Sequence, residues 1–371
     1  MLQKKKVAVA MSGGVDSSVV AAILKDRGYQ VFGVTLDLLQ QEKDAKGDIY
    51  RRCSSSRAIE DARRTCEQLG IDHHVLNLKE TFQKKVVDYF IREYERGRTP
   101  NPCVVCNRFI KFDVLLKEVF SLGGEQLATG HYARLFYDSS SDTHFLYKAR
   151  DFHKDQTYFL YNLTQKELRH CLFPLGDYVK EEIRDMAGKA GLDIAGKAES
   201  QEICFIQDND YKNFLRKQRT IHVKPGPFLD TAGKKLGTHQ GLPFYTVGQR
   251  KGLGLAAGYP LYVVDIDFSK NAIILGRQEE LFSPGLLAEG VNFITESWIK
   301  EGEIKEQDIK VKIRYRSPEV EARLEPLSGD QVRVVFNSPQ RAVAPGQAVV
   351  FYQDSMVLGG GTIKERIGEH S

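Results

Sequence analysis

Cysteine is scarce in this chain, six in 371 residues, too few for disulfides to stand in for a hydrophobic core. No export signal precedes them. The Lys4–Lys6 triplet followed by Val7–Met11 imitates one only briefly, because Ser12, Gly13, Gly14 and Asp16 interrupt it without a small-residue cleavage site. A reducing, cytoplasmic setting is therefore expected, in which paired cysteines are catalytic or metal-binding rather than structural. No apolar run approaches the roughly 18 residues of a membrane-spanning helix; Val19–Leu24, for example, ends in charge. Internal repeats and low-complexity segments are also missing. So are the two commonest glycine-rich nucleotide loops, since no Walker Gly-Lys-Ser/Thr ending and no GxGxxG fingerprint occurs. No second CxxC and no HxxxH pair completes a zinc site with Cys103 and Cys106.

What is present is ordinary globular material, 42% hydrophobic and 27% charged, and long enough for two or three domains. The first two hundred residues alternate strand and helix: Lys6–Met11, Ser17–Arg27, Gln30–Leu36, Ser56–Leu69, His74–Leu78. That spacing predicts a parallel sheet flanked by helices, with its ligand beyond the carboxyl ends of the strands, at the loops after Met11 and Leu36.

Charge is distributed unevenly. Between Tyr211 and Pro260 nine Lys or Arg face one acid, Asp230, so that segment carries +8 within a chain of net +4. Eight Gly and four Pro in the same stretch argue for a small turn-rich domain rather than helices. A basic module of this kind suits a polyanion such as nucleic acid. Farther on, Val311–Arg316 alternates apolar and cationic residues, as a two-faced strand does. Strand-like runs at Gln331–Phe336, Ala348–Gln353 and Met356–Leu358 make the region from Pro284 a small all-β barrel or sandwich.

Two motifs carry the chemistry. Ser12-Gly-Gly-Val-Asp-Ser-Ser18 lies between the first strand and its helix, where glycines let backbone N–H groups converge and the helix start adds a positive field, as a phosphate requires. The string resembles the PP-loop of ATP pyrophosphatases, which split ATP into AMP and pyrophosphate while adenylating a substrate. The second motif holds Cys103 and Cys106, just before an amphipathic helix with Phe112, Leu115, Leu116 and Val119 on its apolar side. A helix start stabilises thiolate, which favours Cys106 as a nucleophile. Cys204 lies in a short extended stretch, and its role depends on whether folding brings it to Cys106. Cys66 and Cys171 read as core residues, and Cys53 has no assigned role.

Over nearly its whole length the chain resembles the bacterial tRNA-specific 2-thiouridylases, which replace the 2-oxygen of the wobble uridine with sulfur. The matching strings are AMSGGVDSSV, GRTPNPCVVCNRFIKF, ATGHYAR, KDQTYFL, ESQEICFI, KIRYRSP and PGQAVVFY, in that order. The resemblance implies an α/β fold: a parallel-sheet PP-loop ATP pyrophosphatase domain (1–210), a small basic tRNA-binding domain (211–283) and a C-terminal β-barrel (284–371). It implies that Ala10, Met11, Ser12, Gly13, Gly14, Val15, Asp16 and Ser17 hold ATP phosphates with Mg2+, and that Leu36 and Gly130 lie near the nucleotide. Leu36 departs mildly from the Met often found there. Asn101, Pro102 and Cys103 would face the target base, and His131, Lys154, Asp155, Gln156, Arg314, Tyr315 and Gln347 would touch the tRNA. Cys106 would be the nucleophile and Cys204 the persulfide carrier. The partners implied are tRNAs with Lys, Glu and Gln acceptors, and a cysteine desulfurase or sulfur-relay protein.

Cys103 is the larger departure, because the family usually has Asp at that place. Three thiols, Cys103, Cys106 and Cys204, then become candidate ligands of a [4Fe-4S] cluster with one open iron, an alternative to the persulfide route. Two further alternatives stand beside them: a PP-loop ligase joining an amine to an adenylated acid or carbonyl, and an inactive RNA-binding protein that retains the loop.

Overall fold

The computed structural model describes residues 5–39, 42–43, 49–50, 53–197, 203–206, 209–218, 221, 223–295 and 309–368. The chain divides into two compact units that exchange segments. The first comprises residues 1–86, 103–205 and 355–357; the second comprises 87–102, 206–354 and 358–371.

The first unit is built on a five-stranded parallel sheet in the order His73–Asn77, Gln30–Asp37, Lys6–Ala10, Gln126–Ala128, Cys171–Leu172. Every residue of Val7–Val9 is fully buried, as befits a central parallel strand covered on both faces. The helices Val15–Asp26 and Cys53–Leu69 follow the first two long strands. The first sends Val19, Val20 and Leu24 into a core shared with Val7, Val9, Cys66 and Ile183. Expected strands and helices appear with their ends displaced by a few residues. Cys66 and Cys171 are buried as expected.

Chain order across this sheet reverses beside Lys6–Ala10. The next two strands are added on one side of it and Gln126–Ala128 on the other. Such a reversal leaves a crevice at the carboxyl ends of the two strands flanking it, here at Met11–Gly14 and Thr129–His131.

One local expectation fails instructively. The CxxC does not precede its helix; it opens it. Pro102–Cys106 is α-helical, Asn107–Val114 widens to a π-helix and Leu115–Ser121 returns to α. Proline at the first helical position lacks only an N–H that would have been unpaired anyway, so Pro102 starts the helix and draws Cys103 into its first turn. Cys204 likewise sits in a turn rather than an extended segment.

The second unit holds a four-stranded sheet, ordered Lys235–His239, Gly226–Asp230, Ala272–Gly276, Tyr262–Asp267. The helix Tyr211–Lys217 is an exception to the turn-rich expectation for the basic segment. Beyond it lies an antiparallel barrel in which Phe282–Phe293, Val332–Arg341, Val320–Pro326, Ile309–Lys312, Ala348–Gln353 and the strand ending at Ile367 follow one another, and the last pairs back to the first. The alternating stretch at Val311 is strand only to Lys312. Arg314–Ser317 turns away, held where Ser317 Oγ donates to the Arg314 carbonyl at 2.9 Å and accepts from its N–H at 3.2 Å. Among the described residues no helix is long and apolar enough to cross a membrane.

Candidate active site

The loop after the first strand is shaped by its glycines. Gly13 has φ of +66°, and a Cβ there would come within 2.3 Å of the Ala58 carbonyl oxygen, so no other residue fits without moving the helix beneath. Gly14 precedes the helix Val15–Asp26 with no side chain capping it, which leaves the first helical N–H groups to an anion. The serines brace the curl instead. Ser17 Oγ donates to the Gly14 carbonyl at 3.1 Å and accepts from the Ser12 N–H at 3.2 Å, and Ser18 Oγ donates to the same carbonyl at 3.0 Å. Lys197, absent from the sequence assignment, donates from Nζ to the Gly13 carbonyl and to Asp61 Oδ2, both at 2.6 Å. Leu36 lies half-buried near the carboxyl end of its own strand.

The segment Thr129–Tyr132 joins this loop to the thiols. A Cβ on Gly130 would stand 3.1 Å from both the Ser17 nitrogen and the Asp16 Cβ, so the absent side chain is what lets the two loops touch. Two residues on, the Tyr132 hydroxyl donates to Asp16 Oδ1 at 2.9 Å. Between them His131 is turned the other way: its Nδ1 pairs with Thr129 Oγ1 at 2.7 Å, and its Nε2 lies 3.5 Å from Lys111 Nζ. Burial, reinforced by the Lys111 charge, holds the His131 pKa well below its ordinary value. The ring is neutral at physiological pH, with Nε2 as acceptor for the lysine and Nδ1–H as donor to Thr129.

Lys111 brings a cation to the three cysteines. It acts on Cys103, Cys106 and Cys204 alike, and the Cys204 thiol also senses Cys106 and Cys103. Folding has thus brought Cys204 within electrostatic range of the CxxC, about a hundred residues away in the chain. The π-helical stretch explains how Lys111 joins them. Residues five apart lie about 140° apart around an α-helix at roughly 100° per residue, but stack in a π-helix, where the N–H bonds five residues back. Cys106 and Lys111 are separated by that interval.

The thiols themselves are protonated at rest. Burial pushes Cys106 up to about 11 against the lowering pull of Lys111. Cys103 and Cys204 keep a face open to solvent, yet the surrounding protein still raises both, Cys204 to about 12. The thiolate expected from a helix start is overridden by desolvation. Among the described residues no three His, Cys, Asp or Glu side chains converge as metal ligands. The three cysteines are near enough to influence one another electrostatically.

Other expected site residues are spread more widely. Asp155 is buried and occupied, Oδ1 accepting from the Ala149 N–H at 2.9 Å and Oδ2 from Thr157 Oγ1 at 2.7 Å. Gln156 Oε1 accepts from the Tyr132 N–H at 3.0 Å, so this pair shapes the bridging segment from behind. Lys154 is half-buried beside them. Asn101 and Pro102 belong to the second unit. In that unit Gln347 Nε2 donates to the Thr99 carbonyl at 2.9 Å and the Pro100 carbonyl at 3.4 Å, holding the Thr99–Asn101 loop. Arg314 is pinned to the Ala342 carbonyl, and Tyr315 lies under the Lys312 ammonium at 5.6 Å.

Fold and loop together define a nucleotide-binding α/β domain of the PP-loop class. A family profile described as the HUP domain of a tRNA methyl transferase matches residues 5–208. The matching PRC-barrel domain covers 212–277, and an aminomethyltransferase β-barrel domain covers 288–363. The tRNA-specific 2-thiouridylase MnmA of Carboxydothermus hydrogenoformans is 52% identical over 368 residues, 99% of this chain and all of that one. The corresponding MnmA 1 of Thermoanaerobacter sp. is 48% identical, over 99% of this chain and all of that protein. That of Pelotomaculum thermopropionicum is 49% identical over 98% of each. The chain belongs to the family of tRNA-specific 2-thiouridylases.

Proposed function

We propose that the protein exchanges the 2-oxygen of the wobble uridine of tRNA for sulfur, using ATP, in the cytoplasm. The observation that supports this reading is the run of groups from phosphate loop toward the thiols: Asp16 and Ser17 against Gly130, then His131, then Lys111, whose charge reaches the three cysteines. An amine-transferring ligase or an idle RNA-binding protein has no use for it.

A uracil carbonyl is a poor electrophile, and its oxygen a poor leaving group. The 2-oxygen attacks the α-phosphate of ATP, the α–β bond breaks, and pyrophosphate leaves into the N–H groups of the Ser12–Ser18 loop. Mg2+ with the phosphates supplies charge neutralisation. AMP is now the leaving group on C2. The terminal sulfur of a Cys204 persulfide attacks C2, and AMP departs. Cys106 then attacks Cys204 Sγ, the sulfur–sulfur bond breaks with its electrons passing to the 2-thiouridine sulfur, and a Cys106–Cys204 disulfide remains for an external thiol to reduce. Asn101, Pro102 and Cys103 would face the base. His131, Lys154, Asp155, Gln156, Arg314, Tyr315 and Gln347 would serve tRNA binding, with Asp155, Gln156, Arg314 and Gln347 acting partly by ordering backbone. Domains at 1–210, 211–283 and 284–371 divide this labour. The substrates are tRNAs with Lys, Glu and Gln acceptors, and the donor is a cysteine desulfurase or a relay protein fed by one.

The test is single-turnover 2-thiouridine formation in unmodified tRNA with ATP and Mg2+, comparing iron-free with anaerobically iron-loaded protein, given a persulfide donor or sulfide. Iron-free activity with the donor, lost in Cys204→Ser, supports the persulfide route. Activity confined to iron-loaded protein would replace it with a cluster held by Cys103, Cys106 and Cys204. Activity in neither form would overturn the thiolation reading.

A further inference from the structure

Lys180 is the most deeply buried cation beside the phosphate loop, and neither the sequence motifs nor the mechanism above uses it. It opens the helix Lys180–Lys189, where its backbone N–H donates to Asp151 Oδ2 at 3.1 Å. Its Nζ donates to Asp16 Oδ1 at 2.7 Å, with the lysine side chain 5% exposed and the aspartate 31%. The same oxygen, Oδ1, receives the Tyr132 hydroxyl at 2.9 Å, and the ammonium lies 5.9 Å from the centre of the Tyr132 ring. Two donors from distant parts of the chain therefore hold one oxygen of one carboxylate. Oδ2 makes no hydrogen bond among the described residues and belongs to the part of the side chain that remains accessible.

A buried ion pair is a costly way to stabilise a fold, because both charges must be stripped of water. An apolar contact would brace the helix as well. What the pair does that an apolar contact cannot is fix the rotation of the Asp16 carboxylate through one oxygen, at a loop whose N–H groups already invite phosphate. Mg2+ characteristically takes one or two carboxylates and completes its shell with substrate phosphates and water. We propose that Lys180 is a positioning residue for adenylation: through Oδ1 it aims the open Oδ2 of Asp16 at the divalent cation that accompanies the nucleotide's phosphates. The inference rests on the ATP-dependent reading. It assigns Lys180 no contact with ATP itself, which separates it from a phosphate-binding lysine.

The experiment is equilibrium ATP binding by calorimetry on the full chain, with Mg2+ titrated and, separately, with Mg2+ removed by chelator. Lys180→Met is expected to raise the Mg2+ needed for half-maximal binding about tenfold while leaving Mg2+-free binding within twofold of the parent. Lys180→Arg is expected to restore most of the loss. In an Asp16→Asn background, Lys180→Met should add nothing, because the residue acts only through that carboxylate. Equal weakening with and without Mg2+ would overturn the proposal in favour of direct phosphate contact. An unchanged Mg2+ requirement would reduce Lys180 to a brace. Should Lys180→Met not fold, Tyr132→Phe removes the other hold on Oδ1 without unpairing a charge. It must shift the Mg2+ requirement in the same direction by a smaller factor, and no shift there overturns the proposal. A parent protein that binds no ATP at all refutes the nucleotide reading instead.

Discussion

The resting state of the thiols makes a quantitative prediction. Burial pushes Cys106 from 9.0 up to about 11, so at pH 8 about one molecule in a thousand carries the thiolate, against about one in ten for an ordinary thiol. The thiolate is the species that alkylates. Iodoacetamide should therefore label Cys106 of the folded protein about a hundredfold more slowly at pH 8 than the same cysteine in urea. The rate should climb about tenfold per pH unit to near pH 10 without a plateau. Lys111 is the opposing influence, so Lys111→Met should slow labelling further, and Lys111→Arg should return it toward the parent. The assay is mass-spectrometric quantification of labelled Cys106 peptide across pH 6–10. A plateau near neutral pH, or a profile indifferent to Lys111, would refute the reasoning that desolvation and Lys111 compete at this sulfur. On the persulfide route proposed above, the thiols would be stored protonated and Lys111 would supply the counter-charge when sulfur becomes anionic.

Three further outcomes are expected. Gly130→Ala places a methyl 3.1 Å from the Ser17 nitrogen and Asp16 Cβ. It should weaken ATP binding by about 1–3 kcal/mol, as overpacking does, with thiol labelling unchanged; an unaltered ATP affinity by calorimetry would show that the two loops do not share the nucleotide site. His131 is held below its ordinary pKa, so the unfolded chain binds more protons than the folded one as pH falls. Stability is fully present above about pH 6.5 and is lost as the pH falls toward the depressed folded value, and His131→Gln should flatten that part of a urea-midpoint profile. Gln347→Leu removes both bonds to the Thr99 and Pro100 carbonyls. It should cost about 0.5–1.5 kcal/mol for the lost hydrogen bonds to partly buried acceptors, read as a lower urea midpoint and faster proteolysis within residues 97–102.

Much of this architecture is legible along the chain because its causes are local. The strand Lys6–Ala10 and the glycine loop after it follow from an apolar run broken by Ser-Gly-Gly, and the all-β C-terminal region follows from alternating runs broken by turn residues. Local rules also mark their own limits. Alternation through Arg316 reads as strand, but the Arg314–Ser317 turn is fixed by hydrogen bonds that periodicity does not encode. A helix start reads as a thiolate site, yet desolvation depends on what the fold packs around Cys106.

By itself, then, the sequence determined the phosphate loop, the order of α/β and β regions, and the identity of the three candidate thiols, since each is a property of neighbouring residues. Only the tertiary structure decided that Cys204 comes within electrostatic range of the CxxC, that Gly130 packs against Asp16, and that Lys180 and Lys197 hold Asp16 and the Gly13 carbonyl. Lys180 and Lys197 lie more than a hundred positions from the groups they hold, and no local pattern marks a lysine destined for burial. Strand order reverses beside the first strand, and that reversal, rather than any motif, brings the loops after Ala10 and Ala128 together.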